Sequence, residues 1–309
     1  MDFIRKYKEE NSAYVQLLIL AAYTLAGVIL SMILGFVILL AMYGMDVLSN
    51  PGNLIGGNVK YLDGLKISQI VVSIVMFLLP PLFLALTERQ KISEFYGFKK
   101  PVFVLLGLVF LVMLFSMPIM EYSAILNQKM HLPEWLKPIE QWMRQKEDEA
   151  ARATVMLLTV RKPLDFILNL VMIAIVPAIC EELMFRGGVQ RSFMKMFGNP
   201  HVAIWITAII FSAIHMQFFG FFPRLFLGAL FGYIYVWTKS LWYTMFAHFL
   251  NNGYAVCMAL YMQKHNMPLD AADNSSNFPW YGYLLSFIFT ALLLVYLKKH
   301  TSANGKQLD

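Results

Sequence analysis

Apolar stretches long enough to cross a membrane recur along this chain, and they restrict its fold more than any other feature. Eight can be marked, at about residues 14–43, 67–86, 101–120, 163–185, 201–218, 223–238, 241–262 and 279–297. A helix rises about 1.5 Å per residue, so about 20 apolar residues span the hydrocarbon of a bilayer. Barrel strands would alternate polar and apolar side chains over about 10 residues, whereas most of these runs are continuously apolar. Of the 309 residues, 59% are hydrophobic and 14% charged, more apolar surface than one water-soluble core can hide. The expected fold is all-α: a polytopic transmembrane bundle of about eight helices, forming one integral membrane domain over 1–309.

Charge then suggests which way the bundle faces. Arg5, Lys6 and Lys8 precede the first run, and Arg89, Lys91, Lys99 and Lys100 lie between the second and third. Arg191 and Lys195 follow the fourth, Lys239 lies between the sixth and seventh, and Lys298, Lys299 and Lys306 follow the last. Eight crossings put all of these on one side, so both termini are expected in the cytoplasm of a multi-pass cell-membrane protein. The connection over 121–162 falls on the far side. It is long and mixed in charge, with Lys146, Glu147, Asp148 and Glu149 at its centre, and should hold an amphipathic or exposed helix. The net charge of +6 is spread over short loops, which argues against a phosphate-tracking groove and a nucleic-acid partner. Cys180 and Cys257 give neither zinc-finger spacing nor a disulfide framework. The first apolar run is about twice the length of a signal-peptide core, so it reads as a membrane helix. Trp242, Tyr243, Trp280 and Tyr281, near segment ends, are expected at the lipid headgroups.

An ion in hydrocarbon costs several kcal/mol unless paired or hydrated, so ionisable residues inside the apolar runs are functional candidates. Three groups stand out: Glu181, Glu182 and Arg186; His215, four after Phe211; and His248, four before Asn252. Glu182 and Arg186 share a helix face and suit an ion pair. Glu181 is turned about 100° from Glu182 and is free to point toward other helices. That division suggests a structural brace and a reactive carboxylate. The bland alternatives are an interfacial charge cluster and packing histidines, with Asn252 as interhelical glue. Asp165, near the far-side mouth of the fourth run, shows no evident partner and reads as an interfacial charge. Gly198-Asn199-Pro200 marks a turn midway between Glu181 and His215. By helical rise, the three groups share a depth of roughly 10–15 Å below the cytoplasmic surface if the hairpin tip projects about ten residues beyond it.

Such a cluster suits peptide hydrolysis. Glu181 serves as general base on a water that His215 orients, while His248 and the Asn252 amide donate to the tetrahedral oxyanion. A zinc reading uses Glu181, His215 and His248 as ligands, with Glu182 as base. No His-Glu-x-x-His motif supports that set, and metal-free glutamate chemistry without a cofactor is preferred.

The three motifs, Glu181-Glu182-x-x-x-Arg186, Phe211-x-x-x-His215 and His248-x-x-x-Asn252, resemble those of the CAAX protease and bacteriocin-processing family. These are intramembrane peptidases related to the type II CAAX prenyl endopeptidase. The motif-bearing core covers about 163–262. The resemblance implies a cytoplasm-facing cavity in a helical bundle and a peptide or lipid-anchored protein as substrate. It implies that Glu181 and His215 activate water, that His248 and Asn252 stabilise the oxyanion, and that Arg186 supports them. Two other functions compete: a non-catalytic bacteriocin-immunity or membrane assembly factor, and a proton-coupled transporter. Transport would call for matching interrupted segments in both halves, whereas the polar features here crowd the C-terminal half.

Overall fold

The computed structural model describes residues 10–49, 59–269 and 278–304, and every extended element among them is helical. Arg5, Lys6, Lys8 and Lys306, used in the charge reading, lie outside the described residues. The main helices are α1 (Ala13–Tyr43), α2 (Val59–Thr87), α3 (Phe103–Gln128), α4 (Lys137–Leu158) and α5 (Pro163–Phe197). They are followed by α6 (Pro200–Ala213), α7 (Phe221–Thr238), α8 (Leu241–Lys264) and α9 (Trp280–Asn304).

Each of the eight apolar runs falls on one of these helices, but among the described residues six helices are long and apolar enough to cross a membrane: α1, α2, α3, α5, α7 and α9. The other two differ for physical reasons. α6 has only 14 residues, about 21 Å of rise. α8 has 24 residues but is broken up by His248, Asn251 and Asn252. α5 runs twelve residues past its expected end, to Phe197, where Gly198 adopts a left-handed φ of 63°. Asn199 then caps α6 by accepting from the His201 and Val202 N–H groups, with Pro200 at the first helical position.

One end of the bundle gathers most of the described basic loops. Glu10 pairs with Arg191 at 2.6 Å and Lys195 at 3.2 Å, and Asn11 donates to Glu88. The Ser240 hydroxyl donates to the Lys99 carbonyl at 3.1 Å, and Leu241 N–H to Gly97. The opposite end carries α4, the exposed helix expected in the 121–162 connection, with no buried residue of its own. Glu140 clamps its start: the Leu132 N–H, Arg144 and His131 together hold this carboxyl down at about 2. Glu147 accepts from the Phe219 N–H at 3.2 Å, and the Lys66 ammonium donates to the Thr159 carbonyl at 3.1 Å.

Two sequence expectations change in this frame. Asp165 is buried and far from unpartnered: it accepts from the Arg161 and Lys162 N–H groups and from the Arg161 guanidinium, which also reaches Asp63. Its partner comes from the turn before α5, a fold-back that composition does not reveal. Tyr243 is buried rather than at the headgroups, its hydroxyl accepting from Val102 N–H at 2.8 Å. Trp242, Trp280 and Tyr281 are exposed.

Close packing is set by residues that interrupt helices. An added Cβ at Gly27 would sit 2.8 Å from the Val75 carbonyl oxygen, so α1 meets α2 there only without a side chain. Pro118 breaks the ladder of α3, and Ser286 of α9 mends it. Its hydroxyl accepts from Ile119 N–H at 3.2 Å and donates to the Phe115 carbonyl at 2.6 Å. Ser286→Ala should strand both groups in apolar surroundings and lower stability by about 1 kcal/mol, read as a shifted denaturation midpoint in mixed micelles. An unchanged midpoint would show that α9 does not brace the kink.

Candidate active site

The acidic pair owes its setting to irregularities in α5. A π-helical stretch over Leu170–Ile175 precedes an α-helical one over Val176–Glu182, and a second π-helical stretch over Leu183–Gln190 follows. Pro177 has no N–H to give the carbonyl four residues earlier, that of Ile173. Asn252 of α8 takes the vacancy, donating Nδ2–H to the Ile173 oxygen at 2.9 Å. The broken ladder of one helix thereby fixes a side chain of another.

Glu181 and Glu182 occupy different surroundings. Glu182 is fully buried, and its Oε1 accepts from Arg186 Nη1 at 2.8 Å and from His248 Nδ1 at 2.9 Å. Arg186, also fully buried, donates from Nη2 to the Gly228 carbonyl at 3.0 Å and lies against the Phe211 and Phe231 rings, 4.9 and 5.3 Å from their centroids. Glu181 retains 15% side-chain exposure and lines the main cavity, with Oε2 3.9 Å from His248 Nε2. With Nδ1 committed to Glu182, Nε2 is the His248 nitrogen left for the cavity. It carries a proton there only as the imidazolium.

His215 is not on the helix that the sequence suggests. α6 stops at Ala213, and His215 sits in the turn before Met216, whose φ is +53°. Its ring still reaches back, Nδ1–H donating to the Phe211 carbonyl at 2.8 Å. In the neutral ring this leaves Nε2 as an acceptor. The Phe211 ring meets both histidines edge-on, 5.2 Å from His215 and 6.1 Å from His248 between centroids, and acts as a spacer between them.

Glu181, His215, His248 and Asn252 line one cavity of about 470 Å³, and Glu182 and Arg186 lie behind its wall. Further polar groups line it: Asn251, which donates to Asn252 Oδ1 at 3.0 Å, Gln69 and Ser73 from α2, Thr154 from α4, and Arg224. Arg224 escaped the sequence reading although the cost of an ion in an apolar run marks it as clearly as His215. The lining includes Thr154 and Leu157 of α4, at the end away from the basic loops. Among the described residues no three His, Cys, Asp or Glu side chains are grouped to hold one ion.

Residues 163–254 match the family model described as type II CAAX prenyl endopeptidase Rce1-like. The motif-bearing segment is similar to that family. A 116-residue stretch is 25% identical to a Bacillus subtilis (strain 168) protein described as uncharacterized protein YpbD. That alignment covers 35% of this chain and 57% of the relative, so the chain spans little over half the length of the curated relative it matches. No solved structure matches the chain. The Rce1-like segment holds α5, α6, α7 and the first half of α8, and with them all the motif residues.

Removing one member of a buried pair strands the other. Glu182→Leu should cost about 3–5 kcal/mol by leaving Arg186 uncompensated. Glu182→Leu with Arg186→Met should recover part of that loss, so the two single effects will not add. Denaturation midpoints of the three variants test this, and additive losses would show that the pair is not coupled.

Proposed function

We propose that this protein is an intramembrane endopeptidase that hydrolyses a peptide bond of a membrane-associated or lipid-modified peptide or protein. One observation carries the reading: Glu181, His215, His248 and Asn252, from two helices and a turn, line a single cavity within the segment that matches the family model. Water held between Glu181 and the acceptor nitrogen of His215 loses a proton to Glu181 as its oxygen attacks the scissile carbonyl. The tetrahedral oxyanion takes hydrogen bonds from the Nε2–H of His248 in its imidazolium form and from the Asn252 N–H not given to Ile173. Glu181 then returns its proton to the departing amine. Glu182 orients His248 through Nδ1, Arg186 holds Glu182, and Phe211 spaces the two rings.

Phe77 and Ile214 also line an apolar groove of about 450 Å³ among α1, α2, α5 and α6. This groove gives a lipid-modified substrate an apolar approach to the cavity, with the surrounding membrane lipid as its other partner. The metal-free mechanism is preferred over zinc held by Glu181, His215 and His248 because the sequence carries no His-Glu-x-x-His motif. The basic end, with both termini, is assigned to the cytoplasm, which puts α4 and its part of the cavity on the opposite face.

Purified protein in nanodiscs should cleave members of a panel of N-acylated, internally quenched peptides after metal stripping verified by elemental analysis. Glu181→Gln should lower turnover by at least about a hundredfold while the denaturation midpoint stays within experimental spread. Retained cleavage in that variant would remove Glu181 from the mechanism. Activity that returns only with added zinc would reject the metal-free route. For orientation, a Thr154→Cys variant in a Cys180→Ala/Cys257→Ala background should react with an impermeant maleimide in intact cells. Labelling only in inverted vesicles would reverse the assignment.

A further inference from the structure

Arginine pairing across the molecule is uneven. Arg144 pairs with Glu140, Arg161 with Asp63 and Asp165, Arg186 with Glu182, and Arg191 with Glu10. Arg89 and Arg152 are exposed. Arg224 is neither. It is half-buried in the cavity wall, and among the described residues no carboxylate lies within salt-bridge distance of it, although the Glu147 charge acts on it across the second cavity. Its guanidinium donates to the Gln217 side-chain oxygen at 3.0 Å and to the Gln217 carbonyl, both neutral acceptors. Its buried Nε has no hydrogen-bond partner.

Two further features make this cation costly where it stands. It occupies the first turn of α7, where the positive end of the helix dipole disfavours a cation. The loop also leaves room for it: a Cβ on Gly220 would sit 2.6 Å from Nη1 and 2.9 Å from Cζ, so the guanidinium lies against a bare backbone. Arg224 also lines a second cavity of about 420 Å³ under α4, together with Gln128, Glu147 and Asp148. It stands where an outer polar vestibule meets the chamber of Glu181 and His215.

Resting on the peptidase reading above, we propose that Arg224 binds a carboxylate of the substrate and so sets which part of a peptide reaches Glu181. A guanidinium offers a fork of donors matched to a carboxylate and stays charged at any physiological pH. Gln217 holds the fork from one side and Gly220 supports its face, leaving Nε and the unused N–H positions for the ligand. The carboxylate can be the free C-terminus of the substrate or an Asp or Glu side chain.

Binding, rather than turnover, separates this idea from the peptidase reading. The probe is a set of N-myristoylated, fluorescein-labelled peptides of one sequence, measured by anisotropy against Glu181→Gln protein in nanodiscs. One peptide ends in a free acid, one in an amide, and one in an amide with a penultimate Glu. The free acid should bind about tenfold more tightly than the plain amide, and the Glu-bearing amide shows whether a side-chain carboxylate substitutes. Adding Arg224→Gln should bring the affinities together. Arg224→Lys should keep part of the preference, and Gly220→Ala should weaken it by displacing a guanidinium that keeps its charge. Equal binding of all three peptides to protein with Arg224 intact, no binding of the acid, or a preference that survives Arg224→Gln would overturn the assignment. A preference that depends on Arg224 in a protein that cleaves nothing would uphold the site and sink the peptidase reading alone.

Discussion

A fully buried arginine sits at the centre of this bundle, and the arrangement around it depends on how its charge is met. Glu182 supplies the countercharge from one helical turn away, the Gly228 carbonyl accepts from the other arm, and the Phe211 and Phe231 rings cover the guanidinium. Taking two charges out of water is expensive, and their attraction offsets that cost only in good geometry. Glu182 Oε2 and Arg186 Nε remain without hydrogen-bond partners, so the pair is poorly explained as a device for stability alone. Its other product is position. The Glu182 oxygen that holds Arg186 also holds His248 Nδ1, so α5, α7 and α8 are fastened through one carboxylate and the His248 ring presents Nε2 to the cavity.

Breaks in helical hydrogen bonding serve the same end. An uninterrupted helix offers no free carbonyl in its middle and has nothing with which to fix a polar side chain of a neighbour. Pro177 frees the Ile173 carbonyl for Asn252, and Pro118 opens α3 to Ser286. The two π-helical stretches of α5 flank the acidic pair, a placement in keeping with the habit of such bulges to mark functional positions. The cavity therefore has its walls braced by backbone atoms, while Glu181 lines it with Oε2 3.9 Å from His248 Nε2.

The two ends of the molecule differ in kind. The basic end is tied by short loops and the Glu10 pairs, whereas the other end is covered by α4, a helix with no buried residue that contributes Thr154 to the cavity. Arg224 and Gln217 lie beneath it. Glu181 and Arg224, to which the proposals give chemistry and selection, line different parts of one cavity, one set in α5 and the other in the first turn of α7.

The chain's own letters determined that it is helical and membrane-embedded, because apolar length is a local property and lipid tolerates few other folds. They also marked Gly198-Asn199-Pro200 as a turn and singled out Glu181, Glu182, Arg186, His215 and His248, because an ion among apolar neighbours is visible without coordinates. The tertiary structure alone decided who meets whom. Asp165 found Arg161, Tyr243 turned inward to Val102, His215 left its helix yet bonded back to Phe211, and Arg224, among the described residues, has no carboxylate within salt-bridge distance. Each outcome depends on which atoms a fold brings within about 3 Å. Linear spacing predicts such distances along one helix but not across turns or between helices.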